Sequence, residues 1–136
     1  MNFLRAEHCV ACRPDSPRVT TEEIAELKPL IPDWQLLDRD GVPQLERVFK
    51  FKDWAQALDF TVRVGKLADE EDHHPRLVTE WGKVTATWWT HKIKGLHRND
   101  FVMASKTDEI YAEMTGAPRQ PEAKSLDDAP VDQKAA

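Results

Sequence analysis

Basic charge is in deficit: 19 lysines and arginines stand against 24 aspartates and glutamates across 136 residues, a formal net charge of −5. Nucleic-acid affinity rests on cations that neutralise phosphates, so this balance argues against that class. The same sign disfavours docking on an anionic membrane surface. No apolar run approaches the roughly 20 residues of a membrane span. The opening MNFLRAEHCVACRPD interrupts its apolar residues with Arg5, Glu7 and His8. It holds no signal-peptide core, and a cytoplasmic location is expected. There is no Gly-rich phosphate loop, no serine or cysteine placed for a nucleophilic triad, and no internal repeat.

Cysteine is almost absent. Cys9 and Cys12 form one C-x-x-C beside His8. A redox dithiol needs a thioredoxin-like βαβ setting that these residues lack. A structural zinc site needs about four ligands, and three N/S candidates cluster here. The reading taken is a flexible N-terminal arm, residues 1–18, with two reduced thiols; a labile zinc or a disulfide under oxidation stays open.

What is present is a globular mixture, 40% hydrophobic and 32% charged, of a length for one domain. RPDSPR, residues 13–18, reads as linker. Thr20 and Glu23 fit a capping box, followed by a short helix through Ile24 and Leu27 that Pro29 and Pro32 curtail. Residues 34–37 and 44–51 are predicted as strands joined at Asp40-Gly41, a strong hairpin signal. On the second, Leu45, Phe49 and Phe51 share one face, Glu46 and Lys50 the other, and Val48 suggests an outer face half covered.

Asp53 with Gln56 offers a second cap. The long helix after it carries Trp54, Ala57, Leu58, Thr61, Val62, Gly65 and Ala68 at helical spacing, with Phe60, Val64 and Leu67 widening the buried face. Gly65, costing about 1 kcal/mol in a helix interior, suggests close packing on the sheet or a partner. The run Asp69–Asp72 reads as a solvated helix end. Strands over 77–81 and 84–90 follow, joined at Gly82-Lys83. A last helix runs from His97–Asp100 to about Met114, with Phe101, Ala104, Ile110 and Tyr111 inward and Gly116 as its stop. The fold expected is α+β, in the order α-β-β-α-β-β-α, with one four-stranded antiparallel sheet and helices on one face. The folded domain would span 19–116, and residues 117–136 read as a disordered tail.

His73 and His74 leave the long helix before Pro75, and His91 ends the last strand. Antiparallel pairing through Gly82 brings His91 near His74. From the residues alone these imidazoles could be polar edge residues, metal ligands or acid–base catalysts. Neighbouring strand residues point to opposite faces, which counts against a shared metal. With a pKa of roughly 6.5, imidazole suits proton transfer near neutrality.

Asp69-x-x-x-His73-His74-Pro75, followed by Trp81, His91 and Asp100, resembles the signature of the pterin-4a-carbinolamine dehydratases. The likeness extends through Ile31-Pro32-Asp33-Trp34, LERVFKFKDWAQALDF and TEWGKVTATWWTHKIKGLHRNDF, covering about residues 20–115. The last block and HCVACR resemble the family's bacterial branch. The resemblance implies that His73, His74 and His91 form a pterin site, with His73 and His91 as an acid–base pair and His74 as a binding and orienting residue. Asp69, Pro75, Trp81 and Asp100 would bind substrate or organise the site. It implies dehydration of a 4a-hydroxytetrahydropterin for an aromatic amino-acid hydroxylase, without metal or organic cofactor, by a homodimer or homotetramer. Family members are also similar to a dimerisation cofactor of a homeodomain transcription factor, so a protein-binding module is the rival reading. Two positions depart from the pattern. Asp69 replaces the longer Glu of some relatives, and His97 stands where a Ser or Thr cap is common, so Asn99 or Asp100 is expected to take over capping.

Overall fold

The computed structural model describes residues 4–10 and 14–118. The Thr20–Glu23 capping box forms, with the Thr20 hydroxyl accepting from the Glu23 N–H at 3.1 Å and the Glu23 carboxylate from the Thr20 N–H at 2.8 Å. It opens α1 (Thr21–Leu27), which tightens into a 3-10 turn over Lys28–Leu30. Asp40 and Gly41 both take positive φ, 54° and 80°, and link β1 (Gln35–Arg39) to β2 (Val42–Lys50). A two-residue turn of this kind matches the strand twist, so pairing runs up to Arg39↔Val42. Both strands therefore reach closer to the turn than 34–37 and 44–51. Trp34 lies outside β1, buried in the core.

Asp53 accepts from the Gln56 N–H at 2.9 Å and starts α2 (Trp54–Glu71). β3 (Arg76–Glu80) and β4 (Lys83–Trp88) follow, then a 3-10 turn at His91–Ile93 and α3 (Arg98–Thr115), closed by Gly116. The sheet is antiparallel throughout in the order β1-β2-β4-β3, so the expected α+β architecture is the one observed. Leu45, Phe49, Val84, Ala86 and Trp88 form its inner face. They pack with Ala57, Phe60, Val64 and Ala68 of α2 and Phe101, Val102, Met103 and Ala104 of α3. On the outer face Arg39 grips Glu46 at 2.8 and 3.1 Å, and the Thr87 hydroxyl donates to the same carboxylate at 2.8 Å. Arg39 holds the Glu46 carboxyl below the usual range. The outer face is not covered at Val48, which is exposed; beside it Arg39, Glu46 and Thr87 form a polar network of the sheet's own side chains.

Several expectations need correction. Trp54, Leu58 and Val62 do not join the core: they are 44–46% exposed and form a second stripe, four residues apart, beside the buried line. The helix carries more apolar surface than one sheet face can cover, and periodicity alone does not say which stripe is inside. A Cβ on Gly65 would meet nothing within 4 Å, so this glycine marks no close approach to the sheet. Glu71 is not solvated, since the N-terminal segment covers it. That segment does not hang free over residues 4–10, because Leu4 belongs to the core cluster. Cys12 and residues 119–136 of the predicted tail lie outside the described residues.

α3 carries a buried carboxylate, Asp108, that accepts from the Trp34 indole N–H at 2.9 and 3.0 Å and from Arg47 at 2.6 Å. Arg47 occupies an inward position of β2, and this contact answers its charge. Burial raises the Asp108 pKa from 3.8 to about 7, against the opposing pull of Arg47 and Trp34. A raised native pKa means the native state holds this proton more tightly than the unfolded chain. Its contribution to stability is therefore complete below about pH 4 and lost as pH rises through about 7. We expect Asp108→Asn, which cannot ionise, to flatten the fall in unfolding free energy across that window. Urea unfolding at a series of pH values reads this, and an unchanged slope would assign the dependence to another group.

Candidate active site

The C-terminus of α2 sets the site's first wall. Asp72 takes a left-handed conformation, φ 52°, and the His73 N–H closes on the Ala68 carbonyl at 3.1 Å. Pro75 then favours extended backbone at His74, so the chain leaves the helix straight into β3. Adjacent side chains diverge there. His73 turns inward with 10% of its side chain exposed, its ring stacked on Trp88 at 5.7 Å and 6°. His74 turns outward, 56% exposed, and meets Asp69 at 3.0 Å.

Asp100 is the centre of the arrangement. Its carboxylate is fully buried and serves three donors from three elements. Oδ1 lies 2.6 Å from His73 Nε2, and Oδ2 accepts from the Thr90 hydroxyl at 2.8 Å and the His97 N–H at 3.0 Å. His97 caps α3 itself, its Nδ1 accepting from the Asn99 N–H at 3.0 Å, while Asp100 completes the box from the third position. Capping is therefore shared rather than passed on. Because a carboxylate accepts, His73 Nε2 carries the hydrogen in this bond and Nδ1 is left for another partner.

The β3–β4 pairing, Arg76↔Thr87 to Glu80↔Lys83, continued by three residues sets His73 opposite Thr90. His91 follows Thr90 at the start of the 3-10 turn, exposed, with its ring 4.4 Å from that of Trp89. The turn is closed by the Thr90↔Gly95 bridge. Neither ring nitrogen of His91 is hydrogen-bonded to another described residue. His73, Thr90 and Asp100 are thus joined directly, His91 adjoins them through the chain, and His74 stands outside with Asp69. Among the described residues no three His, Cys, Asp or Glu side chains gather as metal ligands.

Trp81 does not join this group. It sits in the β3–β4 turn, 72% exposed, roughly 20 Å of strand away from Pro75. Trp88, Trp89, Thr90 and the cap of His97 were not singled out for the site by sequence reasoning. Thr90 carried a usable signal, being a small hydroxyl next to His91 at the end of an apolar strand. Trp88 carried none, because a strand tryptophan reads as core, and it is core as well: its indole N–H donates to Thr107 at 3.1 Å.

This sequence and this fold have known counterparts. The sequence model of the pterin 4 alpha carbinolamine dehydratase family matches residues 17–110. A protein of Nitrosococcus oceani named "Putative pterin-4-alpha-carbinolamine dehydratase" is 56% identical over 110 residues, 81% of this chain and 97% of that one. A Gloeobacter violaceus protein of the same name, numbered 1, is 58% identical over 111 residues, 82% and 96% of the two chains. A crystal structure of a transcriptional coactivator/pterin dehydratase from Brucella melitensis superposes with a TM-score of 0.63 at 33% identity, covering 70% of this chain and 99% of that one. The chain belongs to the pterin-4a-carbinolamine dehydratase family.

Removing the central carboxylate should be costly. Asp100→Ala leaves buried donors without an acceptor and is expected to lose about 3–5 kcal/mol of stability, while Asp100→Asn, which keeps one acceptor, should lose less. Chemical unfolding of both variants checks the order. Equal stability of Asp100→Ala and the parent chain would show that the carboxylate is not the organising group.

Proposed function

We propose that the protein dehydrates a 4a-hydroxytetrahydropterin to the quinonoid dihydropterin by imidazole acid–base chemistry, recycling the pterin of an aromatic amino-acid hydroxylase. The observation that carries the reading is the His73–Asp100 pair at 2.6 Å, with Thr90 on the same carboxylate and His91 next in the chain. The names of the relatives support it. In the reaction the C4a–O bond breaks and a C4a=N5 double bond forms. One proton joins the departing hydroxyl to make water, and the N5 proton goes to a base. The electrons come from the N5–H bond, so no oxidant or reductant is consumed.

Such a reaction needs one group that gives a proton and one that takes it. His73, held at Nε2 by Asp100, offers Nδ1; His91, with neither nitrogen bonded to another described residue, offers either. These two form the proposed proton-transfer pair, and His74, outward beside Asp69, binds and orients the pterin. Pro75 contributes by fixing the extended backbone between them. No step is assigned to a metal or an organic cofactor.

We further propose that the protein acts as a homodimer or homotetramer. The exposed Trp54–Leu58–Val62 stripe of α2 supports association. No helix among the described residues is long and apolar enough to cross a membrane, and a cytoplasmic site of action is proposed. The Brucella relative's name includes coactivator, which keeps a protein-binding role as the second reading.

Replacement of His73 or His91 by Ala should slow the bound step by roughly 10²–10⁴-fold each, while His74→Ala should mainly raise KM. Stopped-flow detection of the quinonoid product, formed from carbinolamine released by a hydroxylase, measures both. A purified parent chain no faster than the spontaneous reaction would hand the protein to the binding-module reading. For assembly, Trp54→Glu should lower the sedimentation-derived mass; an unchanged mass would remove α2 from the interface.

A further inference from the structure

We propose that the N-terminal segment, residues 4–10 together with Arg18 and Val19, is a positioning strap that holds His73, Asp100 and the His91 turn in register. This rests on the dehydratase reading for its kinetic consequence, though not for its structural one.

The strap touches each segment that carries a site residue, and it does so one to five residues from that residue. At the end of α2 the Glu71 carboxylate accepts from the Cys9 N–H at 2.8 Å and lies 2.9 Å from His8 Nδ1, two positions before His73. At the start of α3 the Asn99 side chain closes a two-bond ring with Val10. Its Oδ1 accepts the Val10 N–H at 3.1 Å, and its Nδ2 donates to the Val10 carbonyl at 2.7 Å. The neighbouring Arg98 grips Glu7 through two contacts at 2.6 and 2.9 Å. At the His91 turn Arg18 Nε donates to the Ile93 carbonyl at 3.0 Å, and the Val19 N–H donates to the Leu96 carbonyl at 2.9 Å. Arg18 lies so close over Gly95 that a Cβ there would come within 2.8 Å of its side chain.

The consequence is geometric. The His73–Asp100 bond spans the gap between the end of α2 and the start of α3, and residues 7–10 bridge the same two segments through Glu71, Arg98 and Asn99. A second bridge across one gap fixes the distance that the first bridge needs. Glu71 is otherwise unfavourable where it stands, a carboxylate at the negative end of a helix macrodipole. Burial alone would push its carboxyl up, yet the Cys9 N–H, His8 and Lys106 hold it below the usual range. The strap therefore depends on Glu71 as Glu71 depends on the strap. Leu4, inserted in the core, and Lys106, donating to the Arg5 carbonyl at 2.9 Å, anchor the far end.

The test uses the full chain carrying Glu71→Ala or Asn99→Ala, with Glu71→Gln as the conservative variant that keeps an acceptor for Cys9. Expected is a kcat lower by roughly 10- to 100-fold with KM little changed, the scale of a misplaced catalytic group. The His73 Nε2–H proton resonance, read in a 15N-histidine-labelled sample, should broaden or vanish in both Ala variants and persist in Glu71→Gln. If Asn99→Ala does not fold, Glu71→Ala and Glu7→Ala carry the same test. An unchanged kcat and resonance would overturn the proposal. A loss of stability with the His73 resonance untouched would also overturn it, leaving the strap a structural brace. Were the parent chain inactive as a dehydratase, the resonance would still decide for or against the strap.

Discussion

A carboxylate shut away from water must be answered by donors, or it unfolds the region around it. Asp100 is such a group, and its answers come from the exit of α2, the end of β4 and the cap of α3. Each donor fixes where its element must end. α2 has to release the chain before His73, the chain leaving β4 has to place Thr90 on the carboxylate, and α3 has to begin just after His97. The junction of three elements and the candidate site are thus the same set of hydrogen bonds.

The same helix repeats the device eight residues on. Asp108 binds Trp34, which precedes β1, and Arg47, which lies on β2. α3 is therefore held at two buried carboxylates, Asp108 to Arg47 of β2 and Asp100 to the segments that follow α2 and β4, with Phe101, Val102, Met103 and Ala104 packed between them. This explains why so polar a helix is so deeply buried. Asn99, Asp100, Ser105, Thr107 and Asp108 are all inside, and each of Asn99, Asp100, Thr107 and Asp108 bonds another element or its own helix. An apolar stripe is not what docks α3; directed polar contacts share that work with the core.

Features written in consecutive residues were legible. The Thr20 capping box, the Asp40-Gly41 hairpin, the Gly116 stop and the four-strand order of elements depend on neighbours in sequence, and local sterics and hydrogen bonding decide them. The divergence of His73 and His74 was legible for the same reason, since Pro75 favours extended backbone at His74 and adjacent side chains on extended backbone point apart. What was not legible needed contacts across the chain. Trp54, Leu58 and Val62 look like core by spacing, but a helix with two apolar stripes requires the sheet to choose between them. Glu71 sits in an acidic run that resembles a solvated end, and only residues 8 and 9, more than sixty positions earlier, reveal otherwise. Trp81 fits the family's spacing yet lies at the far end of its hairpin, because spacing along a strand does not measure distance to a site.

The three histidines differ in freedom, and that difference bears on the proton transfer proposed for them. His73 has its ring clamped by Asp100 at one nitrogen and by Trp88 across its face, so it has little orientational entropy to lose. His91 stands on an exposed turn with one aromatic neighbour, and His74 is exposed with a carboxylate that is itself largely in solvent. One imidazole is fixed and two are freer, so the candidate site has one rigid wall, at His73, and one adaptable rim, at His91. Proximity is effective only when the reacting groups are held in a near-attack arrangement. In this protein the rigid wall is assembled from the ends of α2 and α3, the two segments that the N-terminal residues tie together. The adaptable rim is the turn that Arg18 and Val19 restrain without covering. Rigidity in this site is therefore a property of how segments distant in sequence are fastened to one another, and the histidines inherit it from their backbones.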